Sequence, residues 1–129
     1  MVTVDPGKME VGLGIHGEPG VRTADMLPAG EIAKLLVETV LNDTPQGAGS
    51  EVALLLNGLG STKYEELFVL YNDVHKLLGK ADLKIHDPIV GEAVTSLDMA
   101  GCSLTLMWLD STLKSLHDAR TVTPAYIHV

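Results

Sequence analysis

Residues 12–20, Gly-Leu-Gly-Ile-His-Gly-Glu-Pro-Gly, constrain the fold more than any other stretch, because they combine four glycines, one proline and a single histidine. Glycine is favoured where the backbone needs positive φ or where another group comes close to it. Pro19 has no amide hydrogen and pushes Glu18 towards extended conformations, so a helix is not expected to begin here. The segment therefore predicts a strand over residues 9–15 that runs into a tight loop displaying His16.

The imidazole in this loop is open to several chemical roles. Near neutral pH a histidine can act as a base, a nucleophile or a metal ligand. The glycines around His16 leave room for attack on a small carbonyl compound, whereas the simpler interpretation is a surface histidine in a glycine-rich turn. The loop by itself does not decide between these interpretations.

The next part of the chain shows helical and strand patterns in turn. Residues 21–28 are predicted to be irregular, and Pro28-Ala29-Gly30-Glu31 opens a helix whose apolar residues recur at helical spacing. Residues 52–56 form a short apolar run typical of a buried strand, and Asn57-Gly58-Leu59-Gly60 is predicted to be the turn that follows it.

A second helix is predicted directly after that turn. Thr62-Lys63-Tyr64-Glu65 has the pattern of a capping box, in which a hydroxyl and a carboxylate bond to free backbone amides. Gly79 is expected to cap the C-terminus of this helix. One apolar stripe follows the helical period and predicts the buried face: Leu67, Leu70, Tyr71, Val74, Leu77 and Leu78.

The last third of the chain predicts three further strands, over residues 83–86, 90–97 and 102–109. His86 would point away from its apolar neighbours into solvent. Asp110 is expected to cap a short helix that ends at His117 and turns Leu113 and Leu116 inward. Strands and helices are intermixed, so the fold class is α/β or α+β: a single domain over residues 1–129, with a mixed β-sheet and helices mainly on one face.

Composition excludes several classes of partner. A chain of 129 residues that is 46% hydrophobic is long enough to bury its own core. Its formal net charge is −8 and it has no cluster of Lys and Arg, so neither nucleic acid nor an anionic membrane surface is an expected partner. No apolar run approaches the roughly 20 residues of a membrane-spanning helix.

Cysteine usage indicates the compartment. Cys102 is the sole cysteine, so there is neither an intrachain disulfide nor a thiolate cluster for zinc. Together with the lack of a signal-like N-terminus, this predicts a cytoplasmic protein.

Three catalytic motifs are matched only in form. The spacing of Gly12, Gly14 and Gly17 fits the dinucleotide fingerprint, but that motif works where its glycines open a helix, and here Pro19 and Gly20 follow at once. His16-Gly17-Glu18 has the His-x-Glu of zinc deaminases without their Pro-Cys-x-x-Cys partner. A serine triad stays open, although no Gly-x-Ser-x-Gly elbow is present. Neither a metal nor a cofactor bound by this chain is therefore expected.

Three segments, in order, resemble the substrate-binding subunit of dihydroxyacetone kinases. Met9–Gly20 resembles the segment that carries the family's substrate-linking histidine, and Thr95–Leu106, Thr-Ser-Leu-Asp-Met-Ala-Gly-Cys-Ser-Leu-Thr-Leu, matches a second motif. Leu56-Asn57-Gly58-Leu59-Gly60 and the helix after it form a weaker third match. The resemblance covers nearly the whole chain and implies a two-layer domain with a mixed sheet.

The resemblance implies a role for the loop histidine. In the family, the matching histidine bonds to the carbonyl carbon of dihydroxyacetone as a hemiaminal, so His16 is expected to be the catalytic and substrate-binding residue. Gly14 and Gly17 are expected to border the substrate, and Glu18 is a further candidate. Ketones and aldehydes can form such an adduct, whereas glycerol cannot.

The second motif adds Ser96 and Asp98 as candidate substrate-binding residues, although Asp98 is at least as consistent with closing a local turn. The family's preceding domain, with its own glycine-rich segment and catalytic aspartate, has no counterpart in this sequence. The chain therefore resembles the C-terminal half of the substrate-binding subunit, as a natural half-gene or a truncated chain. On its own it is expected to lack full kinase activity.

The expected partners follow from the same resemblance. They are dihydroxyacetone, the missing N-terminal substrate domain, and a nucleotide-binding kinase subunit or domain that supplies the phosphoryl group from ATP or from a phosphoenolpyruvate-fed relay. The family's subunit is a dimer, so a homodimer is one implied assembly. A non-catalytic paralogue that senses dihydroxyacetone and reports to a regulator is the main alternative. A DegV-like lipid binder is a third, against which the Gly-Ile-His-Gly-Glu-Pro-Gly loop argues.

Overall fold

The central strand of the molecule is β3 (Glu51–Gly60), in a computed structural model that describes residues 3–129. It pairs in parallel with β4 (Lys84–Gly91) and antiparallel with β5 (Ala100–Trp108). The apolar run of β3 is buried on both faces through most of its length, as the sequence predicts for a central strand. The predicted mixed sheet is therefore confirmed.

Two helices cover one face of this sheet. They are α1 (Ala29–Leu41) and α2 (Tyr64–Lys80), and they pack beside each other on β3, β4 and β5. Leu54 and Leu56 of β3 and Leu104 of β5 point into the same core, because side chains on a strand alternate between faces. From the helices the core receives Ala33, Val37, Leu67, Leu70, Val74 and Leu78. The predicted apolar stripe of α2 and the two-layer architecture are confirmed.

An N-terminal hairpin carries the glycine-rich loop. Its strands are β1 (Lys8–Val11) and β2 (Arg22–Asp25), paired antiparallel from Lys8 opposite Asp25 to Val11 opposite Arg22. Two predictions fail here. The first strand ends at Val11 rather than residue 15, because Gly12 takes a φ of +77°. Residues 21–28 are not irregular throughout, since β2 satisfies its backbone by pairing with β1.

Strand β3 extends further than predicted, so the connection between β3 and α2 begins later in the chain. Residues 57–60 belong to β3 and not to a turn, since they pair with β5. The N-cap of α2 is Lys63 rather than Thr62, and the Lys63 backbone N–H donates to Glu66 Oε2 at 2.9 Å. The capping carboxylate is therefore Glu66 rather than Glu65.

The end of α2 also differs from the prediction. Gly79 lies inside the helix, which continues to Lys80. Asp82 has the left-handed conformation, with φ of 58°, and the Leu83 backbone N–H donates to the Leu78 carbonyl at 3.0 Å. Aspartate tolerates this conformation better than most residues, so the chain turns without using the glycine.

Strand β4 is longer than predicted and contains Pro88. It is an edge strand, as the proline indicates, and its register with β3 shifts between Ala53 and Leu55. The predicted strand over residues 90–97 is wrong, because β4 ends at Gly91 and residues 92–99 form a loop.

The C-terminal part begins with α3 (Ser111–His117), where Asp110 Oδ1 accepts a hydrogen bond from the Leu113 backbone N–H at 2.7 Å. The predicted cap is confirmed. Leu113 and Leu116 are exposed rather than turned inward. The chain ends in a short hairpin of β6 (Thr121–Val122) and β7 (Ile127–His128).

Three histidines and two aspartates connect α3 and the terminal hairpin to β4. His86 Nε2 lies 2.6 Å from Asp118 Oδ1, and Asp87 Oδ2 lies 3.0 Å from His117 Nε2 and 3.3 Å from His128 Nε2. The hydrogen bond from His86 lowers the pKa of Asp118. His86 is half-buried, so its predicted exposure is wrong: its ring binds the carboxylate of Asp118, the residue directly after α3.

Among the described residues, no helix is long and apolar enough to cross a membrane.

Candidate functional site

The glycine-rich loop closes on itself through backbone hydrogen bonds. The Val21 N–H donates to the Val11 carbonyl at 2.7 Å and joins the two ends of the loop. Inside it, the Gly17 N–H donates to the Gly14 carbonyl and the Gly14 N–H donates to the Glu18 carbonyl, both at 3.0 Å. Gly17 takes a φ of +87°, a conformation in which a residue with a side chain is strained. The loop is therefore a defined turn that holds His16 near its tip.

His16 is highly exposed. Its side chain keeps 84% of its surface exposed. The Nδ1 atom lies 3.5 Å from Glu18 Oε1, and the His16 backbone N–H donates to Glu18 Oε2 at 3.1 Å. Glu18 therefore contacts both the backbone and the ring of His16, and Nδ1 is the ring nitrogen beside its carboxylate.

These contacts keep Glu18 ionised. The pKa of Glu18 is lowered mainly by a hydrogen bond from its own backbone amide; desolvation opposes this shift, and the His16 amide and ring add further lowering. At neutral pH the loop thus places a carboxylate next to an accessible imidazole.

Gly14 permits this close approach. A Cβ atom at Gly14 would lie 1.9 Å from Glu18 Oε2 and 2.7 Å from Glu18 Cβ, so any larger residue would displace the glutamate. Gly17 differs from it, because a Cβ there would meet nothing within 4 Å. Gly14 thus positions Glu18, whereas Gly17 supplies the backbone conformation and leaves open space beside His16.

The second motif begins in the loop between β4 and β5 and continues into β5. The Met99 N–H donates to the Ser96 carbonyl at 3.1 Å, and the Ser61 N–H donates to the Met99 carbonyl at 2.9 Å. Asp98 is exposed within this turn and Ser96 is half-buried. Within residues 3–129, no hydrogen bond or ion pair connects either residue to the His16 loop. The structure therefore brings Glu18 to His16 but does not join Ser96 and Asp98 to them.

A cavity of about 500 Å³ adjoins the second motif. It lies between the first turns of α1 and α2 and the start of β5, and its lining includes Met26, Ile32, Val69 and Cys102. Burial raises the pKa of the Cys102 thiol, and its side chain packs against the hydrophobic core. None of the six predicted site residues lines this cavity.

In residues 3–129 no group of three or more His, Cys, Asp or Glu side chains is arranged to hold a metal ion.

The family model of the Dak1 domain matches residues 1–125. The chain belongs to the Dak1 domain family. The resemblance to dihydroxyacetone kinase substrate-binding domains, first seen in the three sequence segments, is thereby confirmed.

Curated relatives of this Dak1 domain include two erythrulose kinases. The D-erythrulose kinase of Mycolicibacterium smegmatis is 53% identical over 98% of this chain, and the L-erythrulose kinase of Pectobacterium atrosepticum is 48% identical over 98%. In both cases the match spans 22% of the relative. A dihydroxyacetone-binding subunit of Listeria innocua is 39% identical over 93% of this chain, which corresponds to 36% of that subunit.

Solved structures share the fold. A protein from work on the regulation of the DHA operon of Lactococcus lactis superposes with a TM-score of 0.86 and 34% identity, over 97% of this chain and 40% of that chain. The dihydroxyacetone kinase of C. freundii, solved with AMP-PNP and Mg²⁺, gives a TM-score of 0.80 and 26% identity over 96% of this chain and 22% of that chain.

The sequence did not reveal how the second motif of this Dak1 domain is held. Asn57 is buried in β3 with 1% of its surface exposed. Its Oδ1 accepts from the Ala93 and Val94 N–H groups at 2.8 and 3.1 Å, and its Nδ2 donates to the Val94 carbonyl at 2.8 Å. The feature of the sequence that could have predicted this role is the position of Asn57 directly after the apolar run of β3. An amide at such a position is expected to be buried and to need hydrogen-bond partners.

Proposed function

We propose that this Dak1 domain is the part of a hydroxyketone kinase that holds the substrate covalently, with dihydroxyacetone or a related short ketose bound as a hemiaminal on His16. The product of the complete system would be the phosphorylated ketose, such as dihydroxyacetone phosphate. The observation that carries the proposal is the exposed imidazole at the tip of the loop with Glu18 beside its Nδ1 atom. Gly14 and Gly17 would border the bound ketose.

The proposed addition balances without a cofactor. The Nε2 lone pair of neutral His16 attacks the carbonyl carbon, and the π electrons of the C=O bond move to the oxygen. The alkoxide gains one proton and the imidazolium loses its Nδ1 proton, which leaves a neutral hemiaminal. Hydrogen-bond donors that stabilise the alkoxide would lower the barrier, as for other tetrahedral adducts.

The adduct would act as a filter for substrates. Dihydroxyacetone and erythrulose both carry a ketone next to a hydroxymethyl group, whereas glycerol has no carbonyl to attack. The relatives at 53% and 48% identity are named for erythrulose, and the relative at 39% is named for dihydroxyacetone. A four-carbon ketose is therefore as well supported as dihydroxyacetone.

Phosphoryl transfer is proposed to need groups outside this sequence. The chain spans about a fifth of the length of the two erythrulose kinases it matches. The catalytic base, the phosphoryl donor and its nucleotide site would lie on the preceding domain and on a kinase subunit or domain. A homodimeric assembly belongs to the same proposal and is supported by the family resemblance. Cytoplasmic location is supported by the single cysteine, Cys102.

A sensor of hydroxyketones is the second candidate function. The fold similarity to the Lactococcus lactis protein associated with regulation of the DHA operon favours it. Identity with that protein is 34%, against 53% with an erythrulose kinase, so the kinase assignment is preferred. Reconstitution with kinase partners separates the two functions, because a kinase domain yields a phosphorylated ketose and a sensor binds it without product.

Ligand titrations followed by NMR test the proposal. We expect dihydroxyacetone, D-erythrulose and L-erythrulose to shift the amide signals of residues 12–20, and glycerol at the same concentration to leave them unchanged. His16→Ala should abolish the ketose response, and His75→Ala, on the exposed face of α2, should leave it intact. Equal responses to glycerol and dihydroxyacetone, or an unchanged response of His16→Ala, would reject the covalent assignment.

A further inference from the structure

We infer that Glu18 is a positioning residue that holds the proton of neutral His16 on Nδ1 and thereby leaves the Nε2 lone pair free to attack the ketone. This inference rests on the proposed function of His16, and it assigns the tautomer that the reaction needs.

The two oxygens of the Glu18 carboxylate contact different parts of His16. Oε2 accepts a hydrogen bond from the His16 backbone N–H at 3.1 Å, and Oε1 lies 3.5 Å from the ring Nδ1. The backbone bond fixes one oxygen, and the other then faces Nδ1 across a short gap. An ionised carboxylate can only accept hydrogen bonds, so the ring nitrogen that faces it is favoured as the protonated one.

The loop is built to keep Glu18 in this place. The Gly14 N–H binds the Glu18 carbonyl, and Gly14 lacks the Cβ that would overlap the Glu18 side chain. The carboxylates on the two strands of the hairpin have other partners: Glu10 accepts from the Thr23 hydroxyl, and Asp25 pairs with Lys8. Among the described contacts, Glu18 is the acidic group that faces the His16 ring.

The arrangement helps two stages of the addition. Before attack, it favours the Nδ1–H tautomer, whose Nε2 atom carries the lone pair. As the Nε2–C bond forms, the ring becomes positively charged and lies next to the negative Glu18. The Nδ1 proton then leaves towards Glu18 or solvent while the alkoxide oxygen is protonated, so the overall step is neutral.

Nitrogen NMR of the His16 ring in the ligand-free protein tests this inference. Two-bond ¹H–¹⁵N spectra would be recorded at about pH 8.5, where an ordinary imidazole with a pKa near 6.5 is neutral. We expect wild-type His16 to be mainly Nδ1–H and Glu18→Gln to move it towards Nε2–H. Gly14→Ala should cause the same change without altering the charge, whereas Glu10→Gln should not.

Titration with labelled dihydroxyacetone adds an independent readout. In the Glu18→Gln variant, loss of the charged partner should lower the affinity for dihydroxyacetone about tenfold. This is the scale of one hydrogen bond to a charged group. An unchanged tautomer in both Glu18→Gln and Gly14→Ala would overturn the role of Glu18, while adduct formation by wild type would still support His16. A shifted tautomer together with an adduct that survives in His16→Ala would instead reject the proposed function and leave the Glu18 contact standing.

Discussion

Asn57→Ala should lower the free energy of unfolding by about 3 kcal/mol, because it removes several hydrogen bonds of a buried amide that contribute about 1 kcal/mol each. Asn57 serves the Ala93 N–H, the Val94 N–H and the Val94 carbonyl, and it is almost completely buried. Alanine would remove these three bonds and the bond from Asn57 Nδ2 to the Gly58 carbonyl at 3.2 Å, and it would leave a small cavity in β3. The loop of residues 92–99, which carries Ser96 and Asp98, should loosen at the same time.

Urea unfolding and amide hydrogen exchange measure both effects. Asn72→Ala is the matched control, because Asn72 lies on the exposed side of α2 and its amide contacts only Asp73, at 3.3 Å, among the described residues. We expect the control to stay within about 0.5 kcal/mol of wild type. A similar small change for Asn57→Ala, with unchanged exchange over residues 92–99, would show that Asn57 does not hold the loop.

Gly60→Ala should destabilise the protein by about 3 kcal/mol, from the left-handed backbone and from steric overlap. Gly60 has a φ of +57°, and a Cβ there would lie 2.0 Å from the Met99 carbonyl oxygen and 2.8 Å from that of Ser96. Both clashing atoms are backbone, so neither can move as a flexible side chain would. The turn that presents Ser96 and Asp98 must therefore shift.

The same substitution at Gly79 should have the opposite effect on stability. Gly79 lies in the exposed part of α2, and a Cβ there would meet nothing within 4 Å. Alanine is favoured over glycine in a helix interior by about 0.5–1 kcal/mol, so Gly79→Ala should stabilise the protein. Thermal unfolding of Gly60→Ala and Gly79→Ala compares the same chemical change, the addition of one methyl group, at two positions. Equal effects on the melting temperature would refute the assignment of Gly60 as a close-approach position.

Elements with a strong local pattern could be predicted from the sequence. The apolar stripe of α2 and the apolar run of β3 identify the two layers without further information. Strand β2 could not be found this way, because Arg22–Asp25 is polar and becomes a strand only by pairing with β1. The half-buried state of His86 likewise depends on Asp118, which lies 32 positions later in the chain.

The candidate site was predictable where it is local. Glu18 is two residues from His16, so one tight turn suffices to bring them together. The support of the second motif is not local, since Asn57 reaches Val94 across 37 positions and Gly60 binds Thr95 across 35. The sequence pattern places Asn57, Gly60 and Thr95 in segments that resemble the family. It does not predict their hydrogen bonds, because these depend on how the strands pair in the folded sheet.

Carbon NMR with dihydroxyacetone labelled at its carbonyl tests the central claim most directly. The ketone hydrate also has a tetrahedral carbon, so its signal in buffer and with His16→Ala provides the baseline. The hemiaminal assignment predicts an additional, broadened tetrahedral signal with wild-type protein that His16→Ala does not produce. The same additional signal with His16→Ala would contradict the assignment. The assignment would also be contradicted if wild-type protein gave no additional signal under either of two conditions. These are the protein alone and the protein mixed with the remaining domains of an erythrulose kinase relative.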